Sequence, residues 1–256
     1  MRDTAAAVGG VSCPTLPRRL SAVLATVFVL ALLVGAAYSG PRAQEQQAAQ
    51  QKTTAEDELK MLRQKAERGD ATAQTTLGAM YAKGEGVPKD DEQAVAWYRR
   101  AAEQGYAEAE LRLGTMYETG RGVPQDYVQT MALWRDAAEQ GDARAQFDLS
   151  ALYFRGRGVP QDYVQAATWC RKAAQQGHPM AQYHLGTMYA DGHGVPQDKI
   201  EAHKWVILAA ALSSGDQQKA YVTWRDEVAR KMIPAQVAEA QRRATEWMAT
   251  FEKRKK

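Results

Sequence analysis

One short motif recurs through this chain on a fixed period, and that period constrains the fold more than any other feature. The letters GRGVPQDY occupy residues 120–127 and return unchanged at 156–163. GEGVPKDD at 84–91 and GHGVPQDK at 192–199 flank them at the same spacing of 36 residues. Alignment of the chain on itself gives four copies, 70–105, 106–141, 142–177 and 178–213. Alanine recurs at Ala73, Ala109, Ala145 and Ala181, leucine at Leu77, Leu113, Leu149 and Leu185, and tyrosine at Tyr81, Tyr117, Tyr153 and Tyr189. Periods of about 20–50 residues mark stacked supersecondary units, each unable to bury its apolar face alone.

Each unit reads as two helices. Ala73, Leu77, Met80 and Tyr81 fall at helical spacing on one stripe, and Ala94, Trp97, Tyr98, Ala101 and Ala102 form a second. Later copies fill that second stripe with Leu133 and Trp134, Trp169 and Cys170, and Trp205 and Val206. Between the stripes lies the repeated motif. Gly84 is placed to end the first helix in a left-handed conformation, Gly86 allows a tight turn, and Pro88 blocks helical continuation. Asp90 caps the second helix, and Gln93 completes a capping box, a pair repeated down to Asp198 and Glu201. Gly105, Gly141 and Gly177 close the second helices, and Ser213 breaks that column. A nucleotide-loop reading of the glycines fails, because the loop spacing and its Lys-Ser or Lys-Thr are missing and Pro88 removes an amide.

Gly78, Gly114 and Gly186 sit inside the first helices, with Ser150 in the third copy. Glycine there costs about 1 kcal/mol relative to alanine, so a closely crossing neighbour helix is expected. Subtracting one period places Thr54 in a capping slot and Met61, Leu62 and Ala66 in core slots. Residues 54–69 then form an N-terminal capping half-repeat, with 40–53 a polar tether before it. Beyond 213, Ala220, Tyr221, Trp224 and Val228 form one stripe. Pro234 opens a last helix carrying Val237, Ala240, Ala244, Trp247 and Phe251, so 214–256 reads as C-terminal capping helices.

Residues 20–37 carry no charge and follow Arg18 and Arg19. Residues 1–39 therefore read as a signal peptide or a signal anchor, with the remainder exported and the membrane met only through this segment. The first 43 residues hold four of the 33 basic and one of the 30 acidic residues, so the body is balanced and offers no field for a nucleic acid. Of two cysteines, Cys170 is alone in the body, so no internal disulfide forms there.

The pattern AQxxLGxMYxxGxGVPQD…AxxWxxxAAxQG resembles the Sel-one-like repeat, a relative of the tetratricopeptide repeat, over residues 70–213. The tail PAQVAEAQRRATEW resembles the end cap of bacterial members. The resemblance implies an all-α, right-handed helical-hairpin solenoid, an α/α superhelix whose concave face serves as an adaptor or scaffold. Some exported relatives are stapled by two cysteines per repeat and were linked to β-lactam binding, and this chain lacks those cysteines.

In such solenoids the first helices line the concave wall. Columns 75, 79 and 82 point away from the stripe and contain Leu111, Phe147, Phe154 and Tyr183, the candidate anchors for a peptide or protein in a binding groove. The competing reading has them filling gaps between neighbouring first helices. All four histidines, His178, His184, His193 and His203, lie in the fourth copy without the i, i+4 spacing of a helical metal clamp, so no metal or other cofactor is expected. No nucleophile, base and acid set appears, and Cys170 occupies a core slot. The expectation is a non-enzymatic protein–protein interaction scaffold of the cell envelope, periplasmic or anchored in the inner membrane. The alternatives are a cell-wall-associated binding protein and a divergent hydrolase.

Overall fold

Backbone conformation at the repeated glycines decides where each helix stops. The computed structural model describes residues 41–254, and all regular secondary structure among them is helical. Two units are present, Met1–Glu58 and Leu59–Lys256. Helix α1 (Pro41–Glu67) starts well before the predicted half-repeat. The segment read as a tether is therefore helical from Pro41 on. Its alanine, glutamine, glutamate and lysine are good helix formers, and a proline is tolerated at a helix start. Thr54 is no cap: it lies within the helix, and its hydroxyl donates to the Gln50 carbonyl. In the second unit Leu59, Leu62 and Ala66 of α1 pack on Ala73 and Leu77, whereas Met61 is 55% exposed and misses the core.

The hairpins follow in order. They are α2 (Ala71–Lys83) with α3 (Asp91–Ala102), α4 (Ala107–Thr119) with α5 (Tyr127–Glu139), α6 (Ala143–Arg155) with α7 (Tyr163–Gln175), and α8 (Pro179–Asp191) with α9 (Lys199–Ala211). Each first helix packs on its own second helix, and each second helix packs on the next first helix, which makes the second unit a solenoid. Helices α10 (Gly215–Ala229) and α11 (Pro234–Arg254) both pack on α9 and close the array.

One turn recurs four times. Gly84, Gly120, Gly156 and Gly192 cap the first helices with φ of 77°, 67°, 67° and 76°. The amides of Asp90, Asp126, Asp162 and Asp198 then donate back to the Tyr81, Tyr117, Tyr153 and Tyr189 carbonyls at 2.9–3.0 Å. Each aspartate carboxylate accepts the amide three residues on. The capping box is therefore half-made. The aspartate amide is already given to tyrosine, and Gln93 lies exposed instead of reaching back. The glutamine of VPQD has its own role, donating from Gln125, Gln161 and Gln197 to the carbonyls of Glu118, Phe154 and Ala190 at 2.6–2.8 Å.

The in-helix glycines stand where the second helix crosses. A Cβ on Gly78 would come within 2.7 Å of the Tyr98 ring, and one on Gly114 within 2.5 Å of Trp134. In the third copy the sizes are traded. Cys170 stands where Trp134 does, and Ser150 stands where Gly114 does. The second glycine of each turn meets the preceding repeat. Cβ atoms on Gly122, Gly158 and Gly194 would collide with the backbone carbonyls of Asp91, Tyr127 and Tyr163. Gly86, with only α1 before it, would meet nothing but the Met80 side-chain tip.

Candidate functional site

Two clefts open along the first helices. One, of about 400 Å³, lies along α2 and α4; Ala79, Ala82, Leu111 and Thr115 line it, with Lys83, Arg112, Arg121 and Arg144 around it. The other, of about 300 Å³, is bounded by α4, α6 and α8. Phe147 and Phe154 form its aromatic wall with Ala151 between them, Trp134 and Met188 its apolar base, and Glu118, Asp148, Arg155 and His184 its charged and polar groups.

The predicted anchors divide. Phe147 and Phe154 line the second cleft, yet neither is free of packing. Phe147 stacks on His178 at 5.2 Å, and Phe154 meets Tyr163 edge-on at 5.1 Å and His193 at 5.7 Å. Leu111 is not an exposed anchor. It is 8% exposed and packs with Met131 and Trp134, whose indole N–H donates to the Leu111 carbonyl. Tyr183 is not available either, because it stacks on Tyr221 of the capping helix α10 at 4.7 Å and meets Trp224 edge-on. Both departures have one cause: the wheel gives direction from the helix axis, but other helices, α5 over Leu111 and α10 over Tyr183, cover part of that direction.

Glu118 belongs to the wall column 82 that the sequence singles out, whereas Asp148 escaped the sequence reading. Asp148 and His184 sit one position along from the column of Phe147, where the four copies read Thr76, Arg112, Asp148 and His184. That column changes chemistry at every repeat, and this variation was the available signal. Burial pushes the Asp148 carboxyl up to about 6; Arg144 opposes the rise and Glu118 adds to it. The Arg144 Nε lies 3.5 Å from Asp148 Oδ2, a loose pair. Burial and the Arg155 charge both lower the His184 pKa, so the ring is neutral at pH 7. In the first cleft two of the cations have close carboxylate partners: Glu108 takes Arg112 at 2.6 Å, and Arg121 pairs with Asp91, whose carboxyl it holds low.

The remaining histidines are structural. His178 Nδ1 accepts the Ala181 amide at 3.3 Å and caps α8; His193 stacks on Tyr163 at 4.8 Å; His203 is buried in α9. Among the described residues no three of His, Cys, Asp and Glu gather as a metal site. Cys170 is buried, donates to the Ala181 carbonyl at 3.2 Å, and burial pushes its thiol up to about 12, which leaves it inert.

The Sel1 repeat model matches residues 71–106, 107–142, 143–178 and 179–214, more than half of the chain. The chain belongs to the Sel1 repeat family. Solved Sel1-type structures agree. A protective antigen of uropathogenic Escherichia coli strains, displaying an SLR fold, is 34% identical with a TM-score of 0.69, over 75% of this chain and 41% of its own. A Sel1 repeat protein from Oxalobacter formigenes is 40% identical with a TM-score of 0.58, over 65% of this chain and 48% of its own. The matched region thus spans less than half of either relative. No curated protein matches the chain. Sel1 repeat proteins typically are protein-interaction scaffolds and generally non-enzymatic. The predicted signal or anchor, 1–39, lies outside the described residues, and no described helix is long and apolar enough to cross a membrane.

Proposed function

We propose that this Sel1 repeat protein is a non-enzymatic scaffold of the cell envelope that holds a peptide or protein segment against its first helices. The observation that carries this reading is the second cleft, where the Phe147 and Phe154 rings stand beside partly solvated charged groups. Aromatic rings next to polar groups, in a concavity on a rigid frame, suit a side chain of a partner. Export is supported by the uncharged stretch 20–37 behind Arg18 and Arg19.

Two measurements test the two halves of the reading. Pull-down from envelope extract with the wild type should enrich one partner that the double variant Phe147→Ala, Phe154→Ala loses at least tenfold, with the variant's helical circular dichroism retained. Unchanged capture by a folded variant sinks the cleft assignment. A phosphatase reporter that is active only outside the cytoplasm, fused after residue 60, should be active. A silent reporter in a stable fusion sinks the envelope assignment.

A further inference from the structure

The two clefts differ in how their charges are answered, and that difference selects an occupant. In the first cleft, Arg112 and Arg121 already have carboxylate partners. In the second cleft the deficit is of cations. Asp148 is drawn partly out of water, with 23% of its side chain exposed, and its one ion pair is the 3.5 Å contact with Arg144, whose side chain is 67% exposed. A charge-assisted hydrogen bond would be about 2.7–2.9 Å, so Arg144 lies too far out to compensate the carboxylate fully. Glu118 faces the same space from α4. Its main-chain carbonyl is held by Gln125, but its carboxylate meets no cation within ion-pair distance among the described residues. Arg155 lines the rim, exposed, and pairs with neither acid.

We propose that this cleft takes a lysine or arginine side chain of the partner segment, its stem along Phe147 and Phe154 and its cationic head between Asp148 and Glu118. The inference rests on the scaffold reading above and adds the chemistry of the ligand. Two like charges sharing a low-dielectric space raise each other's cost of ionisation, and a cation placed between them removes that cost. Burial is the main cause that raises the Asp148 pKa, the Glu118 charge adds to it, and the loose Arg144 pair offsets only part of it. A long cationic side chain satisfies both surfaces, because its methylene stem packs on rings while its head stays hydrogen-bonded. The volume of about 300 Å³ is enough for one such side chain and its neighbours. An acidic side chain would add a third negative charge, and an apolar one would bury Asp148 further without a partner.

The test uses a random 12-residue peptide display library panned at pH 7.5 on the full chain, followed by synthetic peptides of the selected sequences. Peptides whose binding needs Phe154 should be enriched in lysine or arginine at one position. Replacing that residue with norleucine, or making Glu118→Gln or Asp148→Asn, should each weaken binding about tenfold. Binding should also weaken as pH falls through about 6, where Asp148 takes up a proton; Glu118, Arg144, Arg155, Asp142 and His184 are the other charged or titratable groups around it, and Asp148→Asn should remove the part of the pH dependence that belongs to Asp148. The Glu118 change touches a half-buried rim residue, so it reports on binding even if the Asp148 change disturbs packing. Peptides that need Phe154 but carry no such cation, or tolerate norleucine, overturn this inference and leave the scaffold reading in place. An absence of any Phe154-dependent peptide overturns both.

Discussion

The second and third repeats are built from almost the same turn, and they differ in nearly everything the turn holds apart. Both read GRGVPQDYVQ through the loop into the second helix, and both close it with the same aspartate-to-tyrosine backbone bond. Inside, the second repeat opposes Gly114 with Trp134, and the third opposes Ser150 with Cys170. On the wall, Leu111 and Arg112 give way to Phe147 and Asp148. Even the buried polar column differs. Gln74, Gln146 and Gln182 donate to the carbonyls of Ala66, Ala138 and Ala174, whereas the second repeat has Glu110, held by Gln140 at 2.8 Å. The backbone geometry has one solution and is kept. The crossing position admits pairs of different size, Gly78 with Tyr98, Gly114 with Trp134, Ser150 with Cys170 and Gly186 with Val206, provided the residue in the first helix stays small.

The strongest challenge to that contrast is Gly114→Leu. Its side chain would enter the Trp134 ring, so unfolding by urea should show a loss of about 3 kcal/mol. Giving the second repeat the third repeat's pair, Gly114→Ser with Trp134→Cys, should cost less than the two single changes added, because the partners couple through shared volume. Simple additivity would show that the two sizes are unrelated. Next in size is the comparison of Gly158→Ala with Gly86→Ala. Both force alanine to a φ near +73°, but the first also drives a methyl into the Tyr127 carbonyl. The difference should be about 2 kcal/mol, and equal thermal shifts would dismiss the inter-repeat contact. Smallest is Glu110→Gln, which restores the column's donor and should gain about 1 kcal/mol at pH 7, the worth of one buried hydrogen bond. Burial, and then the nearby Asp136 charge, raise the Glu110 pKa above its unfolded value, so the folded state holds the proton more tightly. Wild-type stability should therefore fall as pH rises from the ordinary carboxylate range through the folded pKa, and the variant should lose that slope. A parallel pH profile would assign the slope elsewhere.

The legible and the hidden parts of this molecule separate along the same line. Gly84, Pro88 and Asp90 announce a turn because each has a conformational or capping preference of its own, and four copies average out the noise. Gly114 was readable as a crossing point because a glycine inside a helix needs a reason. The role of Gly122, Gly158 and Gly194 against the previous repeat was hidden, since a turn glycine already has one explanation. Leu111 and Tyr183 misled because exposure depends on the next helix, which a single helical wheel does not contain. Segment 41–53 misled because polar composition speaks of solvent exposure, not of whether the exposed backbone is helical.

The contact between the second turn glycine and the preceding repeat recurs at all three internal joints, and beside it Arg99, Arg135 and Arg171 reach the hydroxyls of Tyr117, Tyr153 and Tyr189 at 2.9–3.1 Å. The fit of Trp134 over Gly114 lies within one hairpin, whereas the rest of the Trp134 side chain packs on the third repeat. In the glycine and arginine contacts the joints are the same coupling. Excising or duplicating one whole period would keep both, and would leave only side chains such as Phe147 and His184, which meet across a single joint, to find new neighbours.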